Sequence, residues 1–242
     1  PATLPANTTC LTGITQVNVI SSGGNKYVFN NEYSYNSVTK YGLYVKTYTF
    51  TNIPSNHPIA ILNSGNTNIS YAPKNSSAII IRVSGGDYST NGNDDFYTFT
   101  DNNNNPIGIG NSNFYFMRGQ SYKFVANGIS SSHPFFIYYS GSSTSSISGN
   151  SGEISFTIPN NHSTASGNLY YQCSSHSNMK RNLSLLNKVV NGSTNDGTYD
   201  FYYGDVTVTV TGDFGTVSVY CYYHGYMGGE NLLTYVTACN PS

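Results

Sequence analysis

The chain has 242 residues, room for one large domain or two of ordinary size. Only 9% of the residues are charged and the net charge is −1, which argues against a nucleic-acid partner, because binding a phosphate backbone needs a basic face. With 23 Tyr and 12 Phe there is ample aromatic surface to bury, unlike a disordered chain, and no apolar run reaches the ~18 residues that would predict a membrane span.

In chain order, the segments "KYVFNN" (26–31), "LYVKTYTF" (43–50), "AIIIRV" (78–83), "FYTFTD" (96–101), "EISFTI" (153–158), "DVTVTVT" (205–211) and "TVSVYC" (216–221) alternate Val, Ile, Thr, Tyr and Phe with polar residues. That period of two predicts strands. Between them lie turn-forming clusters such as "SSGGN", "NNNNP" and "SGSSTSSISGNSG". The best helix candidate, "MKRNLSLLNKVV" (179–190), is short, so the fold class is all-β, built of sandwiches or barrels.

An internal repeat organises these strands. Residues 43–61 resemble 114–137: an aromatic strand, Tyr-x-Phe, a turn, His-Pro and another apolar strand. Residues 153–179 resemble 205–227. The front half of a unit thus occurs twice before its back half occurs twice. His133 stands 40 residues before Cys173, whereas His57 stands 164 before Cys221, which leaves about 124 residues over, the size of a domain. Nesting accounts for this. An outer domain, 11–72 plus 195–238, is interrupted by an inner domain, 77–190, because insertion at an exposed loop is tolerated and local pairing closes shorter loops. The alternative is strand exchange, with His57 meeting the Cys173 group.

Each unit ends in Cys-x-x-His-x-x-Met, namely Cys173, His176 and Met179, and Cys221, His224 and Met227, with His133 or His57 upstream. The motifs take four of the five His, two of the four Cys and two of the three Met. One thiolate, two imidazoles and a distant thioether form the donor set of a trigonal blue-copper site, and a thiolate is what a metal-bound Cys must be.

With strands ending in "LYYQC" and "VSVYC", the pattern resembles the cupredoxin family of plastocyanin, amicyanin and azurin, in two copies that cover nearly the whole chain. The ligand spacing is that of the short amicyanin-like loop. The resemblance implies two Greek-key β-sandwiches, the second inserted into the first, with one type-1-like copper per domain. His57, Cys221, His224 and Met227 are the implied outer ligands, and His133, Cys173, His176 and Met179 the inner ones. The residue after the upstream His is commonly Asn in the family, and its N–H donates to the Cys sulfur. Here it is Pro58 or Pro134, which has no N–H, so each sulfur is expected to lack that donor and the potential to be lower for it. The outer copy keeps the family's Gly after Met227, whereas the inner copy has Lys180.

Three readings compete with copper: a Cys173–Cys221 disulfide, an intact fold with empty sites, and Zn(II) in place of copper. Cys10 and Cys239 flank the outer domain and are expected to form a disulfide, with two free buried thiols as the alternative. By the same resemblance, multicopper oxidases and copper nitrite reductases need more His than this chain has. His162, in the turn "PNNHSTA", is the one spare and reads as a solvated loop residue, so the chain reads as a non-enzyme.

Two roles remain. One is an extracellular, periplasmic, cell-surface or virion structural protein, whose partners are copies of itself or other surface or capsid proteins. The other is a soluble blue-copper electron-transfer or copper-handling protein with a redox partner, for which Tyr222, Tyr223 and Tyr226 would line the site mouth. Pro1 in place of Met predicts a mature form of a longer precursor. Asn-x-Ser/Thr sequons begin at Asn7, Asn68, Asn75, Asn161, Asn182 and Asn191, and are glycan acceptors only if the protein takes a eukaryotic secretory route.

Overall fold

The computed structural model describes residues 4–87, 96–109, 114–191 and 195–239, and among them there is no helix. None of the described residues therefore forms a helix long and apolar enough to cross a membrane. The chain divides into two compact units, residues 1–74 with 187–242, and residues 75–186.

In the continuous unit, one sheet runs in the order Pro106–Ile107, Tyr97–Thr100, Ile79–Gly85, Ser121–Ile129, Glu153–Thr157. The other runs Ser142–Ser143, Phe135–Tyr139, Leu169–Cys173, Lys180–Asn182. The period of two does the sorting. In Glu153–Thr157 only Ile154 and Phe156 are buried, and their neighbours face solvent. Inward residues of both sheets meet in one core, where Phe124 packs on Phe135 and Phe156 with ring centroids 5.4 and 6.0 Å apart. Each such fully buried side chain stabilises the unit by about 1.5–3 kcal/mol.

The interrupted unit mixes strands from both ends of the chain. Gly204–Val210 lies between Lys46–Ile53 and Ile69–Pro73, and Ile14–Gln16 pairs in parallel with the other edge of Lys46–Ile53. Val206, Val208 and Val210 point into the core while Thr207 and Thr209 are half-buried. In the second sheet, Thr8–Cys10, Lys40–Leu43, Leu233–Tyr235, Thr216–Cys221 and Gly225–Tyr226 follow in order, and Ile59–Leu62 also pairs with Thr216–Cys221. Both sheets would lose their middle without residues beyond 186. Two hairpins complete the unit, Asn18–Ser21 with Asn25–Val28 and Asn187–Val190 with Gly197–Asp200.

The segment that carries the helix signal is extended. Lys180–Asn182 pairs with Tyr170–Gln172, the Leu183 N–H donates to Leu169 O, and the Leu186 N–H to Phe116 O. Leu183 and Leu186 are buried at a spacing of three, but cross-strand partners claim the backbone that a helix would need. Asn187–Val190, inside the inner range by sequence, pairs with Gly197–Asp200 and belongs to the interrupted unit.

Cys10 and Cys239 form a disulfide with their Cα atoms 5.9 Å apart. Both flanks are tied into the same sheet: the Leu11 N–H donates to Gly42 O and the Val236 N–H to Leu43 O.

Candidate metal centres

The strand registers place the same residues together in both units. Phe135 pairs with Cys173, and Ile59 pairs with Cys221, each being the second residue after its His. Residues two apart share a face of a strand, so each His comes to the side of the sheet where its Cys sulfur lies. The ladder runs on through the prolines. The Ser174 N–H donates to Pro134 O at 2.9 Å, and the Tyr222 N–H to Pro58 O at 3.0 Å. Each His closes a tight turn, with the His133 N–H on Ser130 O and the His57 N–H on Pro54 O.

In the continuous unit, Cys173 Sγ lies 3.8 Å from His133 Nδ1 and 3.7 Å from His176 Nδ1, and the two Nδ1 atoms are 3.1 Å apart. In the interrupted unit, Cys221 Sγ lies 3.8 Å from His57 Nδ1 and 3.5 Å from His224 Nδ1. Within each trio all ligand atoms are within 4.8 Å of one another. Both imidazoles of each pair turn the same nitrogen toward the sulfur. Three atoms at the inner separations share a centre about 2.1 Å from each, close to the ~2.0–2.3 Å of transition-metal bonds to nitrogen and sulfur.

The ligand turns fold back on themselves. The Cys173 N–H donates to Met179 O, the Met179 N–H to His176 O, and the Ser175 N–H reaches Cys173 Sγ at 3.4 Å. In the other unit Tyr220 pairs with Tyr226 and Cys221 with Gly225, whose φ of 70° supplies the left-handed step of the turn. Met227 O accepts from the Tyr27 N–H, which ties it to the strand Asn25–Val28. Met179 and Met227 are both buried, and each is tied to its turn or a neighbouring strand through its backbone.

Cys173 and Cys221 are free, buried thiols, so the bond that would have joined them is absent. His57 is buried and its pKa is lowered, first by burial and then by His224 beside it. The neutral ring is the form that has a lone pair to give a metal. His224 is solvent-exposed, whereas His133 and His176 are half-buried. Of the three mouth tyrosines, Tyr223 is exposed, and Tyr222 and Tyr226 are half-buried against Phe201 and Tyr220.

Two residues that the motif does not contain sit behind the centres. Tyr27 donates its hydroxyl proton to His57 O at 2.7 Å, and Tyr97 to His133 O at 3.0 Å. Their signal is a second Tyr-x-Phe, Tyr27-Val28-Phe29 and Tyr97-Thr98-Phe99, ahead of the one in each repeat. Gly86, at φ 97°, packs against the inner pair, and a Cβ there would stand 3.1 Å from both His133 Cβ and the Tyr97 ring.

The spare His162 is buried, at 4% exposure, rather than solvated. Its turn is drawn in by the Arg118 Nε–H, which donates to His162 O at 2.8 Å, and by its own N–H on Pro159 O. Neither ring nitrogen has a protein partner among the described residues, and burial followed by the Arg118 charge lowers its pKa.

No family model, no curated protein and no solved structure matches the chain.

Proposed function

We propose that the chain is a copper-binding structural protein of an extracytoplasmic surface, with a type-1-like centre in each unit. The observation that carries the copper reading is the repeated convergence of one thiol and two Nδ1 atoms, from registers that agree residue for residue. His133, Cys173 and His176 would hold one ion and His57, Cys221 and His224 the other, with Met179 and Met227 as the weak fourth donors. The soft thiol and thioether favour copper over Zn(II). Copper so held would supply one-electron redox chemistry.

The chain's own residues fix the rest. Burial keeps water from the Cys sulfurs, and the His-Pro turns present the imidazoles without further ordering. The building-block role is supported by the Cys10–Cys239 disulfide, which belongs to oxidising compartments. Low charge and exposed apolar side chains on the interrupted unit, Ile14 at 73% and Val45 at 53%, fit contacts between chains. Electron transfer is the second reading, favoured by the exposure of His224 and of Tyr223 beside it.

Cu(II) titration followed by absorption and EPR tests the copper reading. Two equivalents with strong thiolate-to-copper absorption are expected, half of it lost in Cys173→Ser and half in Cys221→Ser. A folded, colourless protein would refute it. The role is decided by the chain as isolated. Assemblies with contacts on the order of 1,000 Å² or more are expected of a building block, whereas fast, saturable electron exchange by a monomer would establish the second reading.

A further inference from the structure

In each unit one imidazole is not carried by the Cys-x-x-His-x-x-Met turn. His57 and His133 stand in separate turns, just before the strands Ile59–Leu62 and Phe135–Tyr139. The N–H of each is held within its turn, by Pro54 O and Ser130 O. The carbonyl of each takes a hydrogen bond from a buried phenol: Tyr27, 1% exposed, donates to His57 O at 2.7 Å, and Tyr97, 4% exposed, to His133 O at 3.0 Å. The next carbonyl along lies 3.5 Å from the same hydroxyl in both units, Pro58 O from Tyr27 and Pro134 O from Tyr97. The same arrangement thus recurs in two units built from separate stretches of chain.

Neither phenol belongs to the strand pair that carries the ligands. Tyr97 opens the strand Tyr97–Thr100, in the other sheet from Phe135–Tyr139 and Leu169–Cys173. Its ring is fixed edge-on against Phe135 and Tyr171, with centroids 5.1 and 5.6 Å away, and Gly86 leaves room for it beside His133. Tyr27 reaches further. Its N–H donates to Met227 O at 2.8 Å while its hydroxyl holds His57 O, so one residue joins the His57 turn to the turn that carries Cys221, His224 and Met227.

We propose that Tyr27 and Tyr97 are positioning residues for the metal centres: each hydroxyl fixes the backbone of the upstream His, so that its Nδ1 stands ready beside the Cys sulfur before any ion arrives. This rests on the metal-binding reading of the two sites. The proline after each His already narrows that residue's backbone, and the hydroxyl bond restricts what freedom is left. A site ordered in advance binds more tightly, because binding then has less to order. Partners that orient a metal ligand in this way account for about 10–100-fold in affinity. The two units differ in what remains without the hydroxyl. Tyr97→Phe keeps the ring against Phe135 and Tyr171. Tyr27→Phe unlinks the His57 turn from the Met227 turn, so the interrupted unit should lose more.

The test uses the full chain, with Cys173→Ser as background for Tyr27→Phe and Cys221→Ser as background for Tyr97→Phe, so that one site is read at a time. Chelator competition measures the affinity for Cu(II) and for Zn(II). Hydrogen exchange of the metal-free protein follows the His57 and His133 amides. Y27F should keep its thiolate-to-copper band at the same wavelength, bind both metals about tenfold more weakly, and exchange the His57 amide faster. Y97F should move the same way by less. Unchanged affinities, with only a lower melting temperature, would make the tyrosine a contact of the fold alone and overturn the proposal while the metal reading stands. A loss confined to Cu(II), or a shifted band, would put the hydroxyl's effect on the sulfur and overturn it as well. A parent protein that binds neither ion would overturn both. Where Y27F does not fold, the metal-free Cys173→Ser protein decides: an NMR order parameter of about 0.85 at the His57 amide supports a turn ordered in advance, and one below about 0.6 rejects it.

Discussion

Replacing Cys10 and Cys239 by Ala removes a cross-link between residues 229 apart. On the chain-entropy relation a loop that long stabilises the folded state by up to about 5 kcal/mol, because the reduced chain gains that much freedom when it unfolds. Folded contacts change little. Leu11 and Val236 stay buried, and their N–H groups keep Gly42 O and Leu43 O as acceptors. The loss should therefore fall on the interrupted unit, to which both ends belong. At roughly 2–4 °C per kcal/mol, its thermal transition should drop by about 10–20 °C. Residues 75–186 lie inside the closed loop, but no bond of theirs is cut. Calorimetry should show one transition moving and the other staying. Hydrogen exchange should assign the moving one to amides such as Val206 and Val208. A shift under about 2 °C would refute the entropic reasoning. Equal shifts of both transitions would show that the units unfold as one.

Gly86→Ala combines a positive φ with close approach to His133 and Tyr97, so it should weaken Cu(II) uptake by the continuous unit and spare the other; equal loss at both would contradict the reading. The pKa of His162 lies below its ordinary 6.5, so the unfolded chain takes the proton first. Stability from the neutral ring is then full above pH 6.5 and falls as pH drops below it, by at most about 1.4 kcal/mol per pH unit, and His162→Gln in denaturant titrations at pH 5 and 7.5 should flatten that dependence. Phe124→Ala, at the meeting of rings from both sheets, should destabilise residues 75–186 by about 3–5 kcal/mol, read by urea unfolding.

Alternation made the fold class legible, because most strands bury one face and the sequence shows it, as in Glu153–Thr157 and Gly204–Val210. The two clusters of one Cys and two His were legible because both residue types are scarce here. Tyr27 and Tyr97 were not, since two tyrosines cannot stand out among 23. The repeated Tyr-x-Phe marks both positions, but it does not say that each hydroxyl ends on the carbonyl of its unit's upstream His. His162 was misread for a related reason. Asn, Ser and Thr around it suggest solvent, yet the ring is buried and its backbone is held by Arg118, 44 residues away. At residues 179–190 the Leu183 and Leu186 spacing imitated a helix, and only pairing with Leu169 and Phe116 settles the strand.

The two units hold similar trios but stand differently toward the order of the chain. His133 and Cys173 are 40 residues apart, and closing that loop is inexpensive. His57 and Cys221 are 164 apart, with a whole compact unit between them. The outer trio therefore exists only once both ends of the chain have met, in the sheet that also brings Cys10 to Cys239. A metal bound there acts on the same long loop as the disulfide. It stabilises by its binding free energy, about 4 kcal/mol at a free concentration a thousand times Kd. With the disulfide intact that loop is already restricted in the unfolded chain, so less of the metal's affinity is spent on closing it. The disulfide should thus raise the outer affinity for metal and leave the inner one alone. The disulfide closes the outer fold across the long insertion, and a metal held by His57, Cys221 and His224 would close it a second time.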